Sequence, residues 1–208
     1  MNRERIKLLH LQDQAHAVGS SMNEEARRFR RIAGAEPTRA VSSFNLFQTP
    51  EPLARRMADM LADRMLPDGR WLEPSAGLGR LYRAGRAVGL VGSVTLIEDA
   101  KDCARELYTV TDGDEQARLL VGNFLTMRPG EFDGVLMNPP FQRGTDIKHI
   151  THAAQMLRPG GWLVAVCYDG IRQGQDLRPL AETWEPLPAG SFRSEGTNAG
   201  VVLLTIQA

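Results

Sequence analysis

The sequence is short of several things, and each shortage narrows the possibilities. It has only two cysteines in 208 residues, Cys103 and Cys167, far apart and each in apolar surroundings. That spacing offers neither a disulfide framework nor a metal-ligand set, and it suits reduced core thiols in a cytoplasmic protein. No apolar run approaches the length that spans a bilayer, so no membrane partner is expected. Met1-Asn2-Arg3-Glu4-Arg5 leads into a charged segment and not into the apolar core of a signal peptide. Lys plus Arg and Asp plus Glu both number 25, so there is no net charge. A protein that coats nucleic acid unselectively is disfavoured, whereas a local basic patch that grips a backbone is not. There are no internal repeats and no low-complexity stretches.

What is present is a 42% apolar chain, long enough for one domain with a substantial core. Residues 1–43 read as a separate polar, partly helical and basic extension. Its dense cluster is Arg27-Arg28-Phe29-Arg30-Arg31, and Gly34–Ser43 forms a linker. The cluster is either a solvated helix face or a phosphate-gripping arm, with Arg28 and Arg31 as the candidate substrate contacts. From residue 44 onward strands alternate with helices, which argues for a doubly wound α/β sheet. The expected strands are Trp71–Glu73, Ser93–Ile97, Ala117–Val121, Phe132–Met137, Trp162–Tyr168 and Val201–Ile206. Expected helices follow Thr49-Pro50-Glu51, with Thr49 as cap and Leu53, Met57, Leu61 and Met65 on one stripe, then cover Leu78–Val88, Asp102–Tyr108, Asp146–Leu157 and Gln175–Trp184.

The most informative segment is Asn138-Pro139-Pro140-Phe141, at the end of the apolar run Phe132–Met137. Two prolines cannot continue a strand ladder, so the chain leaves the sheet there with a rigid backbone, an amide and an aromatic ring. Read blandly, this is a strand-ending turn. Read chemically, it suits methylation of a planar amine. The lone pair of such an amine is conjugated with its ring, and two acceptors that draw the N–H bonds out of plane would free it. Asn138 Oδ1 and the Pro139 carbonyl are the candidate pair, Pro140 fixes their direction, and Phe141 is placed to stack on the base. A base in a duplex would have to be flipped out to reach them.

Three other strand ends carry matching features. Glu73-Pro74-Ser75-Ala76-Gly77-Leu78-Gly79 follows the first strand, where Gly77 and Gly79 would let a ligand approach the backbone. Glu98 ends the second strand, a place from which an acid can accept both hydroxyls of a ribose. Asn123-Phe124 follows the third, where the amide could read an adenine edge and the ring could pack on its face. Tyr168, ending the fifth strand, is a further candidate for the substrate pocket. His149 and His152 on the helix after the tetrapeptide read as packing residues, since this reaction needs no poised histidine.

These segments together, over roughly residues 44–207, resemble the class I S-adenosylmethionine-dependent methyltransferases. More narrowly they are similar to the small phage and plasmid branch of N6-adenine DNA methyltransferases. The resemblance implies a seven-stranded Rossmann-like sheet that binds S-adenosylmethionine and acts on nucleic acid, with DNA as the expected partner. Phe47-Gln48-Thr49-Pro50 resembles the segment that touches the methionine end of the cofactor. Phe47, Thr49, Glu73, Ala76, Gly77, Gly79, Glu98, Asn123 and Phe124 are thereby the expected cofactor residues, and Asn138, Pro139, Pro140 and Phe141 the catalytic ones. The segment Phe192–Thr197 is also familiar from the small members. Two departures stand out. Asn123 replaces a usual aspartate, and the stretch Asp169–Gly200 is too short for a typical target-recognition region. Either the enzyme is unselective, or the extension or a partner chain supplies recognition, or the substrate is a different one. The alternatives are an RNA methyltransferase acting on guanine N2 or adenine N6, a protein glutamine methyltransferase, whose motif usually ends in tyrosine, and a silent fold serving as a binding or antirestriction protein.

Overall fold

The computed structural model describes residues 47–208. The basic extension, including Arg28 and Arg31, lies outside the described residues. Seven strands form one sheet: β1 (Trp71–Glu73), β2 (Val94–Glu98), β3 (Ala117–Val121), β4 (Phe132–Met137), β5 (Leu157–Tyr168), β6 (Thr183–Pro186) and β7 (Val201–Gln207). Their order is β3-β2-β1-β4-β5-β7-β6. The first five are parallel, and β7 runs antiparallel to both β5 and β6. Five helices connect them: α1 (Glu51–Ala62), α2 (Arg80–Ala87), α3 (Lys101–Val110), α4 (Thr145–Ala154) and α5 (Ile171–Asp176). The expected doubly wound, seven-stranded fold is what the chain adopts.

Successive strand residues point to opposite faces, and both faces are buried. Trp71, Leu96, Leu119, Leu136 and Val164 lie on one face with Met57 and Leu61 of α1, Leu81 of α2 and Leu107 of α3. Leu72, Ile97, Leu120, Val135 and Leu163 lie on the other with Ile150 and Ala153 of α4. This double burial explains why the strands read as continuous apolar runs. Both cysteines are buried, and neither is in a disulfide.

Four local expectations need correction. Thr49 does not cap α1: the cap position is Pro50, which makes no side-chain cap bond, and Thr49 is buried at 2% exposure. The helix also stops at Ala62, so Met65 packs against the core from the following turn. The helix expected over Gln175–Trp184 is divided. α5 ends at Asp176, a single 3-10 turn covers Arg178–Leu180, and Trp184 lies in edge strand β6. Pro179 disfavours helix at the preceding residue. The β6 segment gains a ladder to β7 instead, with the Thr183 and Thr205 hydroxyls 2.8 Å apart. Pro186 is tolerated because β6 is an edge. β5 begins earlier than expected, at Leu157, because Leu157 pairs with Phe132 of β4; further along, Gly160 N donates to Ala208 O and Ala208 N to Gly161 O.

Tight backbone contact precedes the site as well. Gly92 lies against the Asp68-Gly69 turn that feeds β1, and a Cβ there would overlap the carbonyl oxygens of both turn residues. Gly92→Ala is therefore expected to lower stability by about 1–3 kcal/mol, the usual cost of overpacking. Gly174→Ala has nothing within 4 Å of its added carbon and is expected to be neutral or slightly stabilising. Thermal melts of the two variants check this pair; equal melting temperatures would contradict it.

Candidate active site

In an open α/β sheet, ligands lie beyond the carboxyl ends of the strands where the winding direction reverses. Here the chain winds outward through β1, β2 and β3, then returns to the other side of β1 with β4. Glu73 and Asn138 therefore flank the reversal point, and Glu98 and Asn123 lie at the next two strand ends.

The candidate cofactor side is organised by two acids, the half-buried Glu98 and the buried Glu73. Glu98 accepts from Gly77 N and from Ala100 N, each at 2.7 Å, so one carboxylate ties the loop after β1 to the loop after β2. Burial pushes its carboxyl above the usual range, the two backbone N–H groups oppose this, and Asp99 adds to the rise. Ala76 N donates to Ile97 O and Gly122 N to Glu98 O, which locks all three strand ends together. Glu73 is 1% exposed, and burial raises its carboxyl well above the ordinary range. The Tyr82 backbone N–H opposes that shift and the nearby Glu98 reinforces it. Its Oε2 has no hydrogen-bond partner. A buried acceptor without a donor is costly by itself. Beside the left-handed Gly77 (φ 54°), it fits a ligand that brings an ammonium or hydroxyl donor. S-adenosylmethionine carries both, so the residues present fit this group.

The other expected cofactor residues divide. Gly79 is left-handed (φ 76°), but the space a Cβ would need is filled by Leu107 and Val110 of α3, so helix packing accounts for this glycine. Asn123 is exposed, and its Oδ1 accepts from Leu125 N at 2.9 Å, capping a short 3-10 turn. Phe124 is 2% exposed, and its ring stands edge-on to His149 and His152 at 5.5 and 4.8 Å. It has no free face for an adenine in this arrangement, contrary to expectation. His149 is a packing residue: its Nδ1 lies 3.2 Å from Ser75 Oγ, and burial, with His152 adding, lowers its pKa to about 4.

The tetrapeptide side is held by segments from both ends of the described chain. Asn138 Nδ2 donates to the Phe47 carbonyl at 2.9 Å, which leaves Oδ1 as the acceptor end of the amide. Pro139 is buried and Pro140 exposed. Phe141 stands edge-to-face against the buried Phe192, centroids 6.3 Å apart. Tyr168 is 42% exposed at the end of β5. Sequence reasoning missed Arg80, the first residue of α2. Its guanidinium donates to Thr49 O at 3.1 Å and pairs with Glu195 at 2.9 Å, both side chains largely covered. It clasps the Phe47–Pro50 segment and the Phe192–Glu195 turn to the cofactor helix. No local spacing signals a pair 115 positions apart.

Glu73 binds a proton more tightly in the folded chain than in the unfolded one, so its contribution to stability falls as pH rises through its raised folded value. Glu73→Gln is expected to melt higher than the wild type without cofactor, with the gap growing from pH 5 to pH 8. It is also expected to bind S-adenosylmethionine about 10- to 100-fold more weakly, the worth of one hydrogen bond to a charged group. Melts across that range and calorimetric titration check both effects; unchanged affinity would remove Glu73 from the site.

Comparison with known proteins shows the family. The Methyltransferase small domain profile matches residues 59–187, more than half of the chain. A curated relative, ribosomal RNA small subunit methyltransferase C of Ectopseudomonas mendocina (strain ymp), is 30% identical over 105 residues, covering 47% of this chain. The aligned part is 32% of that relative, so the chain matches about a third of its length. A structure from Listeria monocytogenes, described as a class I S-adenosylmethionine-dependent methyltransferase, superposes with a TM-score of 0.67 at 17% identity, over 96% of this chain and 73% of that one. An RNA methyltransferase from Salinibacter ruber, solved with S-adenosyl-L-homocysteine, gives 0.56 at 18% identity, over 77% and 92%. The chain therefore belongs to the methyltransferase small domain family of S-adenosylmethionine-dependent methyltransferases, and S-adenosylmethionine is its cofactor.

Proposed function

We propose that this protein transfers a methyl group from S-adenosylmethionine to the exocyclic amine of a nucleic-acid base, and that the base belongs to RNA. The observation that carries the chemistry is the Asn138 amide, whose Nδ2 is committed to the Phe47 carbonyl while Oδ1 remains to accept. The likeness to a ribosomal RNA methyltransferase moves RNA ahead of the DNA adenine expected from the tetrapeptide alone.

When bound, the cofactor supplies a methyl group on a positively charged sulfonium. Glu73 and Glu98 would hold its polar ends, with Gly77 and Ala76 close to the backbone approach. Asn138 Oδ1 and the Pro139 carbonyl would accept the two N–H bonds of the target amine, drawing them out of the ring plane so that the lone pair is available. Phe141, braced by Phe192, would give the base a flat wall. The amine loses one proton to solvent after the new N–C bond forms, so no poised base is needed. His149 suits that account, being buried and neutral at physiological pH.

The test is transfer of labelled methyl from S-adenosylmethionine to ribosomal RNA, ribosomal subunits, unmethylated DNA and cell protein in parallel. The expected outcome is label in RNA, recovered as a base N-methyl nucleoside. Asn138→Ala is expected to lose at least about 100-fold in rate, on the scale of one oriented transition-state contact, while retaining cofactor binding. Label recovered as N6-methyladenine in DNA alone would reinstate the DNA reading, and undiminished activity in Asn138→Ala would overturn the mechanism.

A further inference from the structure

Beyond the tetrapeptide, the chain makes an unusual turn. Arg143 has a left-handed backbone (φ 54°), the one non-glycine residue with positive φ among those described, and Gly144 follows at φ 73°. An arginine in that conformation costs about 1–2 kcal/mol, so something other than backbone preference accounts for it. The turn presents Arg143 to solvent two residues after Phe141. Gly144, itself in the left-handed region, also brings Arg172 close. A Cβ there would come within 3.1 Å of Arg172 Nη2 and 3.3 Å of its Cζ, so the guanidinium of Arg172 lies over this glycine. Two exposed arginines, one on the loop after the tetrapeptide and one on α5 with its guanidinium over that loop, therefore lie beside the motif.

Neither group has an acidic partner among the described residues, whereas Arg56, Arg80, Arg86 and Arg158, among others, are ion-paired. The nearest acid in sequence to Arg172 is Asp169, which lies on the β7 side, where its N–H donates to Gly200 O and its Cβ faces Gly200. The same rim carries exposed apolar surface: Tyr168 at 42% and Ile171 at 82%. This surface is built on a rigid base. Asp146, fully buried on α4, accepts from Tyr168 N at 3.0 Å and from Gln173 Nε2 at 3.0 and 3.1 Å. The start of α5 is thereby fixed against α4, with the Arg172 guanidinium over Gly144 and Tyr168 and Ile171 exposed nearby in the chain.

We infer that Arg143 and Arg172 grip the phosphates of a single-stranded nucleic acid next to the target nucleotide, with Tyr168 and Ile171 forming the face on which an adjacent base stacks. The inference rests on the nucleic-acid reading above and places strand recognition within the fold itself, beside the reacting amine. A splayed strand suits it, since unpaired guanidinium groups meet phosphate oxygens bidentately and exposed rings accept any base face. An arginine lost from such a contact lowers the salt dependence of binding by about 0.7 per phosphate on a single strand.

The experiment is fluorescence anisotropy of a labelled 12-nucleotide RNA and a DNA of the same sequence, titrated with the full chain between 50 and 200 mM KCl. The proteins are the wild type, Arg143→Gly, Arg172→Gln, the double variant, and Arg118→Gln on the distant edge strand β3 as control. Arg143→Gly suits the left-handed turn, so it is expected to melt no lower than the wild type. The double variant is expected to reduce the salt slope by about 1.4, with each single variant near half of that and Arg118→Gln unchanged. Tighter binding of RNA than DNA identifies the strand as RNA, and the reverse as DNA. A wild type that binds neither strand would overturn this inference together with the nucleic-acid reading. A wild type that binds, with a double variant of unchanged slope, would overturn this inference alone.

Discussion

The site depends on one carboxylate. Glu98 accepts a backbone N–H from the loop after β1 and another from the loop after β2, and both bonds are 2.7 Å. Without it, two loops that must face one ligand would be free to move apart. The cost is visible in the same place: burial raises both Glu98 and Glu73, and Glu73 keeps an oxygen without a donor. Two acids close together in a low-dielectric crevice are unfavourable for folding alone. They are favourable for a ligand that carries an ammonium group and ribose hydroxyls. On the proposed reading, the unliganded fold is thus less stable than it could be at the point where the cofactor would be held.

The second half of the site is assembled from distant parts of the chain. The Phe47–Pro50 segment reaches Asn138 through one backbone carbonyl and Arg80 through another. Arg80 continues to Glu195, next to the turn whose Phe192 supports Phe141. The acceptor amide, the aromatic wall and the cofactor helix are therefore linked by three short contacts. A shift in any one of these segments would be felt at the target amine. On this account a rigid mouth, and not a poised base, does the catalytic work, as expected for transfer to an amine that can shed its proton late.

Much of this was legible in the sequence because its signals are local. The strand ends at Glu73, Glu98 and Asn138 are marked by apolar runs that stop at an acid or at two prolines, and the alternation with helices implied their common edge. What was illegible depends on contacts across the fold. Thr49 looked like a helix cap, but its carbonyl serves Arg80 while Pro50 begins the helix. Phe124 looked like a ring for adenine, but α4 supplies two histidines that enclose it. Trp184 lies in a short mixed stretch between Pro179 and Pro186 with no clear period, and pairing with β7 decides for strand. Arg80, Arg172 and Asp146 carry no spacing signal, since their partners are set by the packing of separate elements.

A crystal structure of the chain with S-adenosyl-L-homocysteine and a nucleoside bearing the target amine tests the central claim most directly. The account predicts ribose hydroxyls on Glu98, a donor on Glu73 Oε2, and the amine within hydrogen-bond distance of Asn138 Oδ1, with the Phe47 carbonyl still on Nδ2. An amine held elsewhere, or an Asn138 amide turned so that its nitrogen faces the nucleoside, would contradict it.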